Sequence, residues 1–409
     1  MTETSSPAQK ADELPAFPMQ RKCPFSPPPA YSEMRSTNPV SKVRMALSGR
    51  EVWVVARQED VRRVLTAPAM SSSVKLPNYP LQFPVPDEVL QTMELPLVAM
   101  DAPDHTVRRR ALIPELTVKR MQALRPRIQQ VVDEHIDAML AVGGPVDLVQ
   151  ALAIPVPSLI FCELMGVPAE DTETFRAFAE TTVKSDVSPE EVASATAQMD
   201  VYLGKLVAEK AEQGTDDLLG RIIARNKETG ALEHGDIVAL ARMLLFGGFD
   251  TITNMIALGT AMLLRHPDQL AEIKRDPSLT GSAIEELLRY LSIADSATAR
   301  VATEDIEIAG VTIRAGEGII ALNGSANRDE TVFEDPDTFD IHREIELHSA
   351  FGHGIHQCPG ASLVRVELEI VFNTLFSRIP DLRLAVAEEE LAFKSHTLIH
   401  GMHSLPVTW

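Results

Sequence analysis

One cysteine set among glycines, immediately before a helical segment, constrains this chain more than any other feature. Cys358 lies within residues 351–360, a stretch whose glycines occupy positions 352, 354 and 360. Glycine allows a backbone to approach a flat ligand closely and to adopt positive φ angles. A helix N-terminus or a bound metal lowers the pKa of a cysteine thiol and so favours the thiolate. We therefore interpret Cys358 as a thiolate ligand to a metal rather than as a small buried apolar residue.

Composition and charge exclude several classes of protein. The 409 residues carry a formal net charge of −20, whereas a nucleic-acid-binding protein needs a basic surface. The other two cysteines, Cys23 and Cys162, have neither a glycine frame nor a CxxC partner, and we interpret them as ordinary buried thiols. So sparse a cysteine content, together with the lack of an apolar N-terminal leader, predicts a cytoplasmic protein.

One apolar stretch, residues 243–264, is long enough to span a bilayer. Asp250 is its single charged residue, but Gly247, Gly248 and Asn254 also interrupt its apolar character. We interpret this stretch as a helix through the core of a large protein. A membrane span is the alternative.

The order of hydrophobic patterns predicts a mainly α-helical protein with small β-sheets. Residues 1–30 are polar and rich in proline, which predicts a flexible segment in front of a single domain at 31–409. Apolar residues recur at helical spacing from 105 to 290, and a long helix over 236–265 is expected to cross the middle. The remaining predictions are a β-hairpin over 42–55, a helix over 59–66, a loop over 71–99, β-structure over 304–322 and a last helix over 358–378.

The central helix contains a glycine pair followed by an acid and an alcohol. Gly247 and Gly248 in mid-helix cost roughly 1 kcal/mol each relative to alanine, and close approach of a flat cofactor would offset that cost. Asp250 and Thr251 would then place an acid and a hydroxyl beside the cofactor, where they could transfer protons. The alternative, a packing glycine with a capping acid, is equally compatible with these residues alone.

The cysteine loop resembles the haem-binding signature of cytochromes P450. The residues that carry this resemblance are Phe351, Gly354, His356, Cys358, Gly360, Leu363 and Arg365. It implies the cytochrome P450 fold, in which a helix-rich lobe and a smaller β-rich lobe enclose a buried haem b. It also implies that Cys358 binds the iron, that Phe351 and Gly360 lie beside this ligand, and that His356 contacts a haem propionate.

The same resemblance assigns roles elsewhere in the chain, which is similar to the family from about residue 15 to its end. On the central helix, Gly248 would contact the haem, and Asp250 and Thr251 would relay protons during oxygen activation. Three further haem contacts are implied for His105, Arg109 and Arg300. A structural ion-pair network is implied for Glu286, Arg289 and Arg343.

The resemblance also implies a substrate and partners. The closest likeness is to actinomycete P450s that oxidise macrolides, vitamin D-type sterols, statin precursors and foreign compounds, so a hydrophobic small molecule and O2 are expected. The predicted pocket residues are Leu244, Gly247, Ile293, Ala294, Thr298 and Leu398. Asp295 is the one charge near them, and we interpret it as a solvated or capping acid rather than a substrate contact.

Electrons must come from another protein, because the sequence contains no flavin or nicotinamide site. We expect a ferredoxin and its reductase to supply them to a monomeric enzyme. The predicted docking patch consists of Arg108, Arg110, Lys119, Arg120 and Arg365.

Two alternatives share the haem-thiolate centre. A P450-type nitric oxide reductase would take electrons directly from NADH, and it lacks an acid at the position of Asp250. A non-enzymatic haem-thiolate binding protein would need neither Asp250 nor Thr251.

Overall fold

The computed structural model describes residues 14–82, 87–92, 95–183, 189–394 and 398–409. Its α-helices are α1 (Ala30–Thr37), α2 (Gln58–Thr66), α3 (Asp87–Thr92), α4 (Asp104–Leu112), α5 (Val118–Ala123), α6 (Arg125–Val142), α7 (Pro155–Met165), α8 (Thr172–Val183), α9 (Pro189–Gln213), α10 (Leu218–Thr229), α11 (His234–Arg265), α12 (Pro267–Arg275), α13 (Thr280–Leu291), α14 (Asn323–Ala326) and α15 (Ala361–Arg378). Its strands are β1 (Ala16–Phe17), β2 (Val40–Met45), β3 (Glu51–Val55), β4 (Met70–Ser71), β5 (Val146–Asp147), β6 (Thr298–Ala302), β7 (Ile306–Ile308), β8 (Val311–Ile313), β9 (Gly318–Ala321), β10 (Arg383–Leu384) and β11 (Pro406–Thr408). The prediction of a mainly helical chain with small sheets is confirmed.

The strands form three small sheets. The largest has the order β1-β2-β3-β9-β6-β4, the second has the order β10-β11-β5, and the third is the pair β7-β8. The predicted hairpin is the antiparallel pair β2-β3, in which Lys42 lies opposite Trp53. Strand β6 pairs with β9 so that Arg300 lies opposite Ile319, which fixes the position of Arg300 in the large sheet.

Helix α11 runs through the main hydrophobic core, as its apolar sequence predicts. Its N-terminus is capped by Glu233, whose backbone N–H donates to the Asp236 carboxylate at 2.9 Å. It contacts α15 closely at Gly259, where an added Cβ would lie 2.6 Å from the ring of Phe372. This glycine is therefore required by helix packing. Among the described residues, no helix combines the length and the hydropathy needed to cross a bilayer.

The N-terminal segment differs from its prediction over the part that the structure describes. Residues 1–13 lie outside the described residues, but β1 pairs in parallel with β2 in the large sheet. Phe17 and Phe25 are both buried, although the surrounding sequence is polar and rich in proline. Isolated apolar side chains such as these hold the segment in place. A prediction from average composition does not detect them.

Candidate active site

The cysteine loop connects residue 351 to the start of α15. Gly352 and Gly354 have φ angles of 69° and 74°, which only glycine adopts without strain. Gly354 also lies so close to α2 that an added Cβ would be 2.8 Å from the carbonyl oxygen of Leu65. The loop closes through a hydrogen bond in which the Cys358 N–H donates to the Phe351 carbonyl oxygen at 2.9 Å. The glycines therefore fix the position of the cysteine.

Backbone N–H groups at the start of α15 are directed at the Cys358 sulfur. The N–H groups of Gly360 and Ala361 donate to it, and Arg109 and Arg365 lie near enough to favour the thiolate. Burial is nevertheless the larger effect, and it raises the pKa of the Cys358 thiol. The two N–H groups, Arg109 and Arg365 oppose the effect of burial, as expected for a cysteine at a helix N-terminus.

Four basic side chains meet beside this loop. The rings of His105 and His356 lie 4.2 Å apart, and Arg300 is almost completely buried next to them. Arg109 donates to the carbonyl oxygen of Gln357 at 2.7 Å. The structure thus brings together cofactor-binding residues that the sequence predicts in three distant parts of the chain.

Burial and mutual repulsion keep the two histidines neutral. Desolvation is the main cause that lowers the pKa of His356 to about 3, with further contributions from Arg300, His105 and Arg109. The pKa of His105 is lowered for the same reasons, burial first and then Arg109. Asp101 opposes these shifts only in part, so a ligand with carboxylate groups would stabilise the cluster.

Unpaired polar atoms in the cluster show where such a ligand fits. Among the described residues, neither ring nitrogen of His105 has a hydrogen-bond partner, and Nδ1 of His356 has none. The other nitrogen of His356 lies 2.9 Å from the Ser72 hydroxyl, and Asp101 accepts from the Ser72 N–H at 2.8 Å. Buried polar groups rarely stay unpaired in a complete structure. The cluster therefore fits the propionates of a haem bound at Cys358.

On α11, the acid and the alcohol of the glycine motif have different partners. The Thr251 hydroxyl donates to the Gly247 carbonyl oxygen at 2.7 Å, so it lies within the helix turn next to the glycine pair. Asp250 Oδ1 accepts from the Asn254 amide and from the Lys394 ammonium, each at 2.8 Å. Both residues remain partly accessible and can therefore exchange protons with water.

The two adjacent glycines face different surroundings. An added Cβ on Gly248 would lie 1.8 Å from the ring of Phe161 on α7, whereas nothing lies within 4 Å of one on Gly247. The close approach of Gly248 to the cofactor stays a prediction. Gly248 allows α7 to pack, and Gly247 provides the open space. Sequence cannot distinguish the two glycines, because the neighbouring helix decides which side each one faces.

The residues predicted to line the pocket differ in exposure. Leu244 is buried at 6% exposure, whereas Phe246, between Leu244 and the glycine pair, is 40% exposed. The Phe246 ring packs edge-to-face on Phe178 at 5.3 Å. A large aromatic directly before the glycine pair was the available signal for this residue. The other predicted pocket residues have partly or largely accessible positions: Gly247, Ile293, Ala294, Thr298 and Leu398.

Asp295 is not a solvated acid, whereas the capping alternative agrees with its contact to the first turn of α14. It is buried and accepts hydrogen bonds from the Tyr31 hydroxyl at 3.1 Å and from Arg21 at 3.3 Å. The Gly324 N–H donates to its other oxygen at 3.0 Å. Burial raises the pKa of Asp295, and these partners oppose that effect. Asp295 therefore connects the N-terminal segment to α14.

The predicted ion-pair network is confirmed. Arg289 donates two hydrogen bonds of 2.7 Å to the Glu286 carboxylate, and both side chains are fully buried. Arg343 completes the network through a 3.3 Å hydrogen bond to Glu286. It links α13 to the segment that precedes the cysteine loop.

The predicted docking patch is divided by the structure. Arg108 pairs with Asp236 at the start of α11, and Arg365 pairs with Glu285 on α13. Arg120 donates to the Pro114 carbonyl oxygen, while Lys119 and Arg110 are exposed. Arg110 lines a surface cavity of 350 Å³ beside the cysteine loop, with His105, Thr106, Arg109, Ile113, Pro114 and Ile355.

Comparison with known proteins agrees with this geometry. The family model described as Cytochrome P450 matches residues 190–380. Pentalenic acid synthase of Streptomyces avermitilis is 45% identical over 96% of this chain and 97% of its own length. Vitamin D3 dihydroxylase of Streptomyces griseolus is 42% identical over the whole of both chains. The crystal structure of cytochrome P450 MoxA from Nonomuraea recticatena is 48% identical and superimposes with a TM-score of 0.90, covering 97% of this chain and 98% of that one.

Proposed function

Because this chain belongs to the cytochrome P450 family of haem-dependent monooxygenases, we propose that it hydroxylates a hydrophobic small molecule at a C–H bond. It is a cytochrome P450 monooxygenase whose cofactor is haem. O2 supplies the inserted oxygen atom, and a ferredoxin with its reductase supplies the electrons. The observation that carries the proposal is the cluster of His105, Arg109, Arg300 and His356 beside Cys358, which has unpaired buried nitrogens.

These residues would hold the haem from two directions. Cys358 would bind the iron, with the N–H groups of Gly360 and Ala361 tuning the sulfur and Phe351 closing the loop. The four residues of the cluster would bind the propionates, since carboxylates balance the charge of Arg109 and Arg300 and accept from the unpaired ring nitrogens of the histidines. When bound, the haem supplies the oxygen activation and the electron-transfer chemistry.

Asp250 and Thr251 would deliver protons on the opposite face. Asp250 is partly exposed and can take protons from water, and Thr251 adjoins the open space at Gly247. A carboxylate followed by a hydroxyl can pass protons from water to a buried site, which otherwise lacks such a route. Neither the nitric oxide reductase nor the haem-binding alternative requires an acid here, so the Asp250 relay supports the monooxygenase.

An apolar substrate suits the accessible side chains near α11. Phe246 presents an accessible aromatic ring that packs on the buried Phe178, and Ile293 and Leu398 add aliphatic surface. A 42% identical relative is named for vitamin D3, and another is named for pentalenic acid synthesis, which supports an apolar polycyclic substrate.

The cavity beside the cysteine loop would receive the ferredoxin. Ile113 and Ile355 are exposed there, and Arg109 and Arg110 give the surface a positive charge on an otherwise acidic protein. An acidic ferredoxin would be steered to this patch and would dock close to Cys358.

Three measurements on the haem-loaded protein test the proposal. The reduced carbon monoxide complex should show the red-shifted absorption band of a thiolate-bound haem, and Cys358→Ala should abolish it. A band that survives in Cys358→Ala would refute the ligand assignment. Product from vitamin D3 or another apolar probe should require ferredoxin, reductase and O2. Rapid turnover of nitric oxide with NADH alone would instead identify the reductase.

A further inference from the structure

The C-terminal hairpin lies against the central helix at the acid of the glycine motif. Phe393 and Met402 form an antiparallel bridge, and the Lys394 N–H donates to the Gly401 carbonyl oxygen at 2.9 Å. The Lys394 side chain, only 6% exposed, donates to Asp250 Oδ1 at 2.8 Å. Lys394, on the hairpin, thus forms an ion pair with Asp250, on the central helix.

A second contact joins the same two elements. An added Cβ on Gly401 would lie 1.8 Å from the Asn254 side-chain oxygen, so only glycine fits at this position. Asn254 is fully buried, and its amide donates to Asp250 Oδ1 at 2.8 Å. The hairpin therefore contacts Asp250 directly through Lys394 and indirectly through Asn254.

Both hydrogen bonds fall on the same carboxylate oxygen. Lys394 and Asn254 donate to Oδ1, and among the described residues no hydrogen bond falls on Oδ2. Two donors on one oxygen fix the rotation of the carboxylate and leave the other oxygen available for proton exchange. The ammonium also balances a charge that would otherwise be partly buried and unpaired, which is costly.

We propose that Lys394 is a positioning residue for proton delivery, which holds the Asp250 carboxylate in one orientation. This inference rests on the proposed function, in which Asp250 relays protons. The Lys394 ammonium reaches Asp250 from an element outside α11, so its contact adds to the one that Asn254 makes within the helix.

The described arms of the hairpin are held in place on their outer side. The Phe393 ring packs edge-to-face on Phe25 at 5.4 Å. The His400 ring bonds to the Pro24 carbonyl oxygen at 2.7 Å, and the His400 N–H donates to the Ile293 carbonyl oxygen at 2.8 Å. These contacts hold both arms of the hairpin against the N-terminal segment and the end of α13.

Two variants of Lys394 test the proposal. Lys394→Met removes the charge, Lys394→Arg retains it, and Lys210→Met is the matched control, since Lys210 is equally buried and pairs with Asp217. Two quantities are measured: the ratio of product to NADPH consumed, and the solvent isotope effect on oxygen-dependent NADPH consumption. Both are measured with ferredoxin and reductase, with vitamin D3 and without ligand. We expect Lys394→Met to lower the ratio of product to NADPH roughly tenfold, a fraction of the 100-fold or more that proton transfer typically contributes. Lys394→Arg should restore most of it, and Lys210→Met should leave both quantities unchanged.

Asp250→Asn separates this inference from the proposed function. If Asp250→Asn changes the isotope effect and Lys394→Met does not, the role of Lys394 is refuted while the proton relay stands. If Asp250→Asn has no effect, the relay itself is refuted, and the inference with it.

A stability measurement tests the pair without any turnover. Urea unfolding of the two single variants and the double variant gives a double-mutant cycle. We expect the midpoint of the double variant to match that of Lys394→Met alone, because each substitution removes the same interaction. Additive losses would show that Lys394 and Asp250 are energetically independent and would overturn the proposal.

Discussion

At the scale of single residues, the two adjacent glycines of α11 have different roles. Gly248 allows α7 to pack, and Gly247 leaves open space. Gly248→Ala puts a methyl group 1.8 Å from the Phe161 ring, and overpacking of this kind costs about 1–3 kcal/mol of unfolding free energy. Gly247→Ala meets nothing within 4 Å and should stabilise the helix by up to about 1 kcal/mol. Urea unfolding of both variants measures the difference. Equal destabilisation by the two substitutions would contradict the packing role of Gly248.

The Thr251 hydroxyl supports a second prediction. Thr251→Ala removes the hydroxyl that bonds to the Gly247 carbonyl oxygen, so NADPH should be consumed with release of hydrogen peroxide in place of product. The ratio of product to NADPH should fall by about tenfold or more. Thr253→Val is the control on the same helix, because the Thr253 side chain is buried and has no hydrogen-bond partner among the described residues. If Thr251→Ala leaves the ratio of product to NADPH unchanged, protons arrive by another route.

At the scale of elements, α15 contains a buried acid in addition to the N-terminus that faces the cysteine. Glu367 is fully buried on this helix, and among the described residues its carboxylate has no partner. Burial raises the pKa of Glu367 to about 8. Between the pKa of an unfolded glutamate, about 4.3, and this value, the folded state retains a proton that the unfolded state has released.

The free energy of unfolding should therefore fall as the pH rises through that interval. Glu367→Gln, which is uncharged at every pH, should remove a few kcal/mol of this pH dependence. Thermal unfolding between pH 5 and about 8 measures it. A wild-type profile that Glu367→Gln leaves unchanged would mean that the carboxyl is paired in solution.

The sequence predicts where the helices and strands of this protein lie better than it predicts which face of each one contacts its neighbours. Apolar periodicity and the glycine frame were sufficient for α11, for the β2-β3 hairpin and for the start of α15. They could not separate Gly247 from Gly248 or identify Phe246, since both depend on where α7 and α8 pack. Lys394 gave no signal at all, because its partner is 144 residues away in the chain. Residue roles that arise from tertiary contacts require the folded structure.

At the scale of the whole molecule, exposed cations lie beside the cysteine loop of an acidic protein, and Arg110 is one of them. Arg110→Glu should slow reduction by an acidic ferredoxin and weaken the salt dependence of the rate, because this residue lines the cavity beside Ile355. Arg108→Gln is the control, since Arg108 pairs with Asp236. Stopped-flow reduction at several salt concentrations measures both. Equal rates for Arg110→Glu and the unsubstituted enzyme would exclude docking at this cavity.

The contacts between the N-terminal segment and the C-terminal hairpin have a consequence for synthesis in the cell. The hydrogen bond between His400 and Pro24 joins groups 376 residues apart, and Phe25 packs on Phe393. A chain emerges from the ribosome with its N-terminus first, so Pro24 and Phe25 leave it long before Phe393 and His400 are synthesised. Until then the hairpin that contacts Asp250 cannot form, and Pro24 and Phe25 lack the partners that they contact in the folded protein. The N-terminal segment and the hairpin therefore reach their final positions only in a late step of folding.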